Sequence, residues 1–268
     1  MQRTAQVSIT LALAAALSAC STFGGGSRPS GPEATRVTIH VRTHDGKLIG
    51  SDGGGARVTV RDVSTNRVIA EGVTRGGTGD TRRIMETPRA RGNPVFTGTD
   101  DARFEARLPI TRPTQVEITA EGPLDYPDQM ASASKRMTIL PGGHVTSDDG
   151  VVLELHGFTI DMLSPDTTTT LPAQSDVRVR ARVRLLCSCP TQPDGMWRAD
   201  EVVARLMNGT EVIREVTLRY AGEPSIYEAD LRTPEAGRYS LEVVASRPDR
   251  ATFGWMQRNV RVGDQGGG

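Results

Sequence analysis

The stretch 176-DVRVRARVRLL-186 decides the fold. Val177, Val179, Ala181, Val183 and Leu185 alternate with Arg178, Arg180, Arg182 and Arg184, a period of two that a β-strand satisfies by sending successive side chains to opposite faces. A helix would scatter those arginines around its girth. The segment therefore reads as a strand with one face buried and the other wet. Four guanidiniums on the wet face need neutralising, and cross-strand glutamates such as Glu211, Glu215 and Glu242 are the expected partners.

The same alternation recurs on either side of this strand. RVTIHVRT (36–43), ARVTVRDV (56–63), RFEARLPI (103–110), TQVEITAE (114–121) and VVLELHG (151–157) all carry it, and Gly and Pro mark the corners between them. No amphipathic helix longer than a turn or two is evident. The expected architecture is all-β, with two consecutive β-sandwiches. SPDTTTTLPAQS (164–175) carries no burial pattern, which sets a boundary: a first sandwich over 36–163, a linker over 164–173, a second sandwich over 174–263 and a disordered tail over 264–268.

Composition narrows the function. The 268 residues carry 32 basic and 32 acidic side chains, a formal net charge of zero, so nucleic acid is not an expected partner. Thirty of the basic residues are Arg; only Lys47 and Lys135 are Lys. At the amino terminus, Arg3 precedes the apolar run Val7–Leu17, which at about 11 residues is short of the roughly 20 needed to cross a bilayer. Residues 1–19 read as a secretory signal. The ending Leu17-Ser18-Ala19-Cys20 resembles the lipobox of bacterial lipoproteins, with an aliphatic residue, two small residues and a cysteine. That resemblance implies cleavage before Cys20, lipid on its thiol, a flexible tether over 20–35, and a place in the cell envelope, at the outer membrane facing the periplasm. The acyl chains of such a protein would hold it at the membrane essentially permanently.

Each sandwich carries its own resemblance. Asp45-Gly46, Gly55-Ala56, Val58, Val60, Thr99, Asp100 and Phe104 fall where the carboxypeptidase-regulatory or transthyretin-like sandwich has its turn and strand-entry residues; a 51–54 insertion and the absence of Gly before Phe104 depart from it. TPEAGRYSLEVVAS (233–246) resembles the E–F corner of immunoglobulin-like domains, in which Tyr239, two residues after Gly237, would bond back to the corner backbone. Leu241 stands where antibody domains have their second bridging cysteine, so an inter-sheet disulfide is not expected. Both resemblances imply accessory modules and no particular chemistry.

Few residues are candidates for chemistry. If Cys20 carries lipid, Cys187 and Cys189 are the remaining thiols, and three readings stay open: a local disulfide, a thiolate pair for a soft metal such as Cu(I) helped by Met196 or Met207, or two reduced buried thiols. Their Cα atoms would stand about 6.6 Å apart on an extended strand, near the upper limit for a bridge, so a bond requires a turn. His40 and His44 share parity near a strand end and could meet a cation together, although sheet-surface roles explain them as well as His144 and His156. Asp148, Asp149 and His156 lie within one short stretch, but Asp149-Gly150 is first a hairpin signal. The patternless segment 74–99 offers Arg82, Arg83, Arg89 and Arg91 as a contact surface for an anionic partner. No nucleophile elbow, zinc-protease motif, P-loop or dinucleotide fingerprint is present, so neither an enzyme nor a cofactor is expected. The sequence thus predicts a lipid-anchored, non-catalytic binding or scaffold protein that contacts other envelope components. A metal-handling or redox accessory acting through Cys187 and Cys189 is the alternative.

Overall fold

The strand over Asp176–Leu185 forms as its alternation dictates: Val179, Ala181, Val183 and Leu185 are buried, and the arginines between them face outward. In the computed structural model, which describes residues 33–147 and 149–263, sixteen strands account for nearly all regular structure. The signal, Cys20, most of the tether and the 264–268 tail lie outside the described residues.

Seven strands build the first sandwich: β1 (Thr35–Thr43), β2 (Arg57–Asp62), β3 (Arg67–Val73), β4 (Phe104–Leu108), β5 (Thr114–Gly122), β6 (Ala131–Ile139) and β7 (Val151–Leu155). One sheet runs β4-β1-β7, with β1 and β7 parallel; the other runs β3-β2-β5-β6 and is antiparallel. Val37, Ile39, Val41, Val58, Val60, Val116, Ile118 and Leu153 fill the space between them.

Nine strands build the second: β8 (Phe158–Ser164), β9 (Thr170–Pro172), β10 (Asp176–Leu185), β11 (Glu201–Asn208), β12 (Glu211–Thr217), β13 (Arg219–Tyr220), β14 (Ile226–Arg232), β15 (Gly237–Arg247) and β16 (Thr252–Gly263). The sheets run β13-β14-β10-β8 and β12-β11-β15-β16-β9. Ile160, Val183, Leu206, Leu241 and Val243 lie in the core between them. Tyr239 donates its hydroxyl to the Glu235 carbonyl at 3.1 Å, and a Cβ at Gly237 would stand 2.9 Å from the same ring.

Two expectations are corrected here. Residues 158–163 do not close the first sandwich, because β8 pairs with β10 along Arg180–Leu185. Nor is 164–173 a bare linker, since β9 pairs in parallel with the end of β16. The chain crosses between the sandwiches at His156–Gly157, where only two residues separate β7 from β8, too short a gap to read as a domain linker.

The arginine comb is neutralised, but by other partners than expected. Arg178 meets Glu228 and Asp230, Arg180 meets Glu223 and Glu228, and Arg182 and Arg184 both meet Asp161. Glu211, Glu215 and Glu242 sit on the opposite sheet, because β10 is flanked by β14 and β8.

A small third cluster covers the outer face of β1. Ile84, Val95, Phe96 and Ala102, all from the 74–103 segment, pack with Leu48. His40 is pressed beneath it, 2% exposed, with its ring centroid 4.9 Å from that of Phe96 and Nδ1 2.8 Å from the Ala102 carbonyl oxygen. Burial pushes this imidazole below its ordinary pKa of 6.5; Asp149 and Asp101 oppose that shift and Arg103 adds to it. Because the unfolded chain then takes up the proton first, the His40 contribution to stability is full above pH 6.5 and shrinks as pH falls below it. Urea denaturation at pH 7.5 and 5.5 should show this loss, and His40→Gln, which keeps a donor for Ala102, should reduce the difference between the two pH values.

Candidate functional site

β16 is the longest strand, and its outer face carries Phe253, Trp255, Gln257, Asn259 and Arg261 in register. Their partners on β15 are Ser246, Val244, Glu242, Ser240 and Arg238. Trp255 and Phe253 are half-exposed, at 50% and 55%. A groove of about 730 Å³ opens beside the far end, lined by Arg238, Ser240, Gln257, Asn259, Arg261 and the Thr167–Thr170 run.

The threonine run takes this position for a local reason. The Asp166 carboxylate accepts from the Thr168 backbone N–H at 2.9 Å and its hydroxyl at 2.6 Å, closing a tight turn, and β9 then docks on β16. Those hydrogen bonds hold the Asp166 carboxyl below the usual carboxylate range. The hydroxyls that read as linker composition thus wall a groove.

The electrostatics of that groove are unusual. Arg238 and Arg261 stand directly opposite each other in the β15–β16 ladder, both exposed, and neither has a carboxylate within ion-pair distance among the described residues. Like charges at directly opposed positions repel. On β10 every arginine has an acid; here two guanidiniums share the groove wall with hydroxyls and amides, and Glu242, farther along the same face opposite Gln257, pairs with neither. Such an arrangement can accept an anion in two directions at once, with Ser240, Gln257 and Asn259 available for further hydrogen bonds.

The residues singled out from sequence lie elsewhere. Cys187 and Cys189 are both buried and joined as a disulfide, Cα atoms 5.2 Å apart. The required turn is made by Ser188, whose φ is +60° and whose N–H donates to the Leu185 carbonyl. Of the 74–99 arginines, Arg83 donates to the Val95 carbonyl and Asp101, so it serves the segment's own fold. Arg82, Arg89 and Arg91 remain exposed. His40 and His44 do not meet: His40 is covered, whereas His44 approaches Glu154 and His156. His144 accepts from the Arg36 backbone N–H. The β16 face was missed because Trp255, Arg238 and Arg261 form no motif until pairing brings them together.

No protein-family model and no curated protein matches the sequence. Among solved structures, an engineered protein aligns at 16% identity over 46% of this chain and 24% of that one, with a TM-score of 0.27. The chain thus spans about a quarter of that protein. Fibronectin(III)-like modules of Clostridium thermocellum CbhA align at 13% identity over 87% of this chain and 90% of theirs, TM-score 0.28. A chimeric titin Z1Z2 tandem aligns at 9% over 87% and 92%, TM-score 0.23.

The Asp149 carboxylate ties the 74–103 segment to a distant part of the first sandwich: it accepts from the backbone N–H groups of Val95 at 2.6 Å and Phe96 at 2.8 Å. Removing it leaves two buried donors to be satisfied otherwise, at about 1–3 kcal/mol. Asp149→Ala should therefore accelerate tryptic cleavage at Arg82, Arg89 and Arg91 while the sandwich cores keep their hydrogen-exchange protection.

Proposed function

We propose that the chain is a lipid-anchored, non-catalytic binding protein of the bacterial cell envelope, and that the outer face of β15 and β16 recognises an anionic segment of another envelope component. The opposed, unpartnered Arg238–Arg261 pair is the observation that carries this reading. A free protein gains nothing from two like charges facing each other across a ladder, whereas an acidic ligand bridging them turns that repulsion into two charge-assisted hydrogen bonds. Trp255 and Phe253, farther along the same strand, offer apolar surface of the kind found at interface anchors.

The anchor reading rests on the Leu17-Ser18-Ala19-Cys20 motif and its apolar leader. Lipid at Cys20 confines the sandwiches to the membrane plane. Within that layer a groove of modest intrinsic affinity suffices, because confinement raises the effective concentration of the partner.

The alternative, a redox or metal role for Cys187 and Cys189, is less favoured by their burial at 3% exposure each, since reactive thiols are accessible ones.

Two experiments test the reading separately. Cys20→Ser should abolish signal processing before residue 20; a product equally processed and still sedimenting with membranes removes the anchor. In cells producing the anchored protein, Arg238→Glu with Arg261→Glu should lower crosslinked-partner recovery at least tenfold without moving the melting temperature by more than a few degrees. Full recovery with the double reversal removes the groove.

A further inference from the structure

We infer that His44, Glu154 and His156 form a binding site for a borderline divalent cation, Zn²⁺ in the first instance, at the point where the chain passes between its two sandwiches. The inference does not rest on the groove or on the lipid anchor.

Strand geometry brings the three residues together. β1 and β7 are parallel with Arg42 opposite Glu154 and Thr43 opposite Leu155, so continuing the register by one residue sets His44 beside His156. The His44 backbone N–H donates to the Leu155 carbonyl at 2.8 Å, which extends the ladder past the last paired residue. Leu153 and Leu155 point into the core, and by the period of two Glu154 and His156 share the outer face with Arg42 and His44.

The side chains converge on one oxygen. His44 Nδ1 lies 2.7 Å from Glu154 Oε1, and His156 Nε2 lies 4.0 Å from the same atom. The two imidazoles stack, centroids 4.1 Å apart and planes 14° from parallel, so both rings flank the carboxylate. One potential ligand atom from each residue lies within 4.8 Å of the other two. Two donors on one tetrahedral zinc ion stand about 3.3 Å apart, given bonds of about 2.0–2.1 Å. The separations of 2.7 and 4.0 Å fall on either side of that value, and side chains this exposed can close the difference by small rotations.

A neighbouring contact fixes the carboxylate. Arg42, which donates to the Gly46 carbonyl at 2.9 Å, holds Glu154 Oε2 at 3.5 Å from its Nε. Oε2 is thereby engaged and Oε1 is left toward the imidazoles, so the carboxylate would bind through a single oxygen with Arg42 as a positioning residue. Two imidazoles and one carboxylate suit zinc and its borderline neighbours over calcium or magnesium, which take mainly oxygen ligands. A fourth position would face solvent.

The location gives such an ion a task. His44 is followed by the Asp45-Gly46 turn, which contacts the second sandwich, and His156 is followed by Gly157 and then β8. An ion held by these residues ties the turn that packs on the second sandwich to the segment by which the chain crosses into it, and so stabilises the folded unit in proportion to its occupancy.

Calorimetric titration of the full chain in detergent with Zn²⁺, after removal of adventitious metal with a chelator, tests the site. One ion per chain is expected, with a higher melting temperature when it is bound. His44→Gln and His156→Gln should each weaken binding at least tenfold and remove the thermal shift, and His144→Gln should do neither. Independently of any variant, Zn²⁺ should slow diethylpyrocarbonate modification of His44 and His156 in the parent protein and leave His144 unaffected. Absence of saturable uptake, equal affinity in the His44→Gln, His156→Gln double variant, or unaltered labelling of the two histidines would each overturn the assignment.

Discussion

Asp45 is the side chain on which the arrangement of the two sandwiches turns. It sits at a left-handed corner, φ +51°, and projects from the first sandwich into the second. Its carbonyl accepts from Trp197 Nε1 at 2.9 Å, while its carboxylate meets Arg247 at 3.3 Å and Arg250 at 3.6 Å. Asp at this position tolerates the positive φ, and the glycine after it is needed for close approach: a Cβ on Gly46 would lie 3.2 Å from Cys187 Sγ and 3.3 Å from Leu185 Cδ1. The disulfide and the end of β10 thus form the floor onto which this turn packs. A second contact reinforces the junction, where Gln129 donates to the Ile160 carbonyl at 3.0 Å and accepts from its N–H at 2.7 Å. Tyr126 adds contacts to Asp161 and Arg184. Leu186 belongs to the first core and Met85 packs against the second, so apolar side chains also cross the boundary. Residues 33–263 consequently fall within one compact unit.

Arginine does three different jobs on these sheets, and the difference is decided by pairing. Along β10, carboxylates from β14, β8 and the turn before β14 face each guanidinium, so the comb is a solvated lattice of ion pairs worth little individually. Arg83, Arg42 and Arg247 are instead fixed by carbonyls or acids in partly covered positions and hold local structure. Burial pushes the Arg42 guanidinium down from its ordinary value against the raising effect of Glu154, with Arg89 contributing to the lowering. Arg238 and Arg261 fit neither pattern, facing one another on an exposed face with hydroxyls and amides around them.

The period of two was legible wherever one face of a strand is buried and the other wet: β1, β2, β4, β5, β7 and β10 all lie within or close to the alternating segments. β6 was not, because ASASKRMTI is largely exposed, and two alanines and Lys135 precede Met137 and Ile139 on its inward parity. β9 has three residues, too few to show a period, and threonine runs are as common in loops as in strands. The disulfide turn could be anticipated as a requirement but not as a fact, since whether Ser188 adopts positive φ depends on what packs above it. Pairing was the property least accessible. Which acids meet the comb, which arginines face each other and which histidines share a carboxylate all follow from strand order, and a local pattern leaves strand order open.

That limit bears directly on where function would lie. Both candidate sites are ladder products: the groove needs β15 antiparallel to β16, and the histidine cluster needs β1 parallel to β7. A shift of one residue in either register would turn Arg261 or His156 to the opposite face, and the core alternation of Val260 and Val262, or of Leu153 and Leu155, forbids that shift. The buried residues therefore specify the outer-face chemistry as strictly as they specify the fold. A substitution that preserves core volume but disturbs register, such as one favouring a bulge in β16, would erase the groove while leaving the sandwich standing.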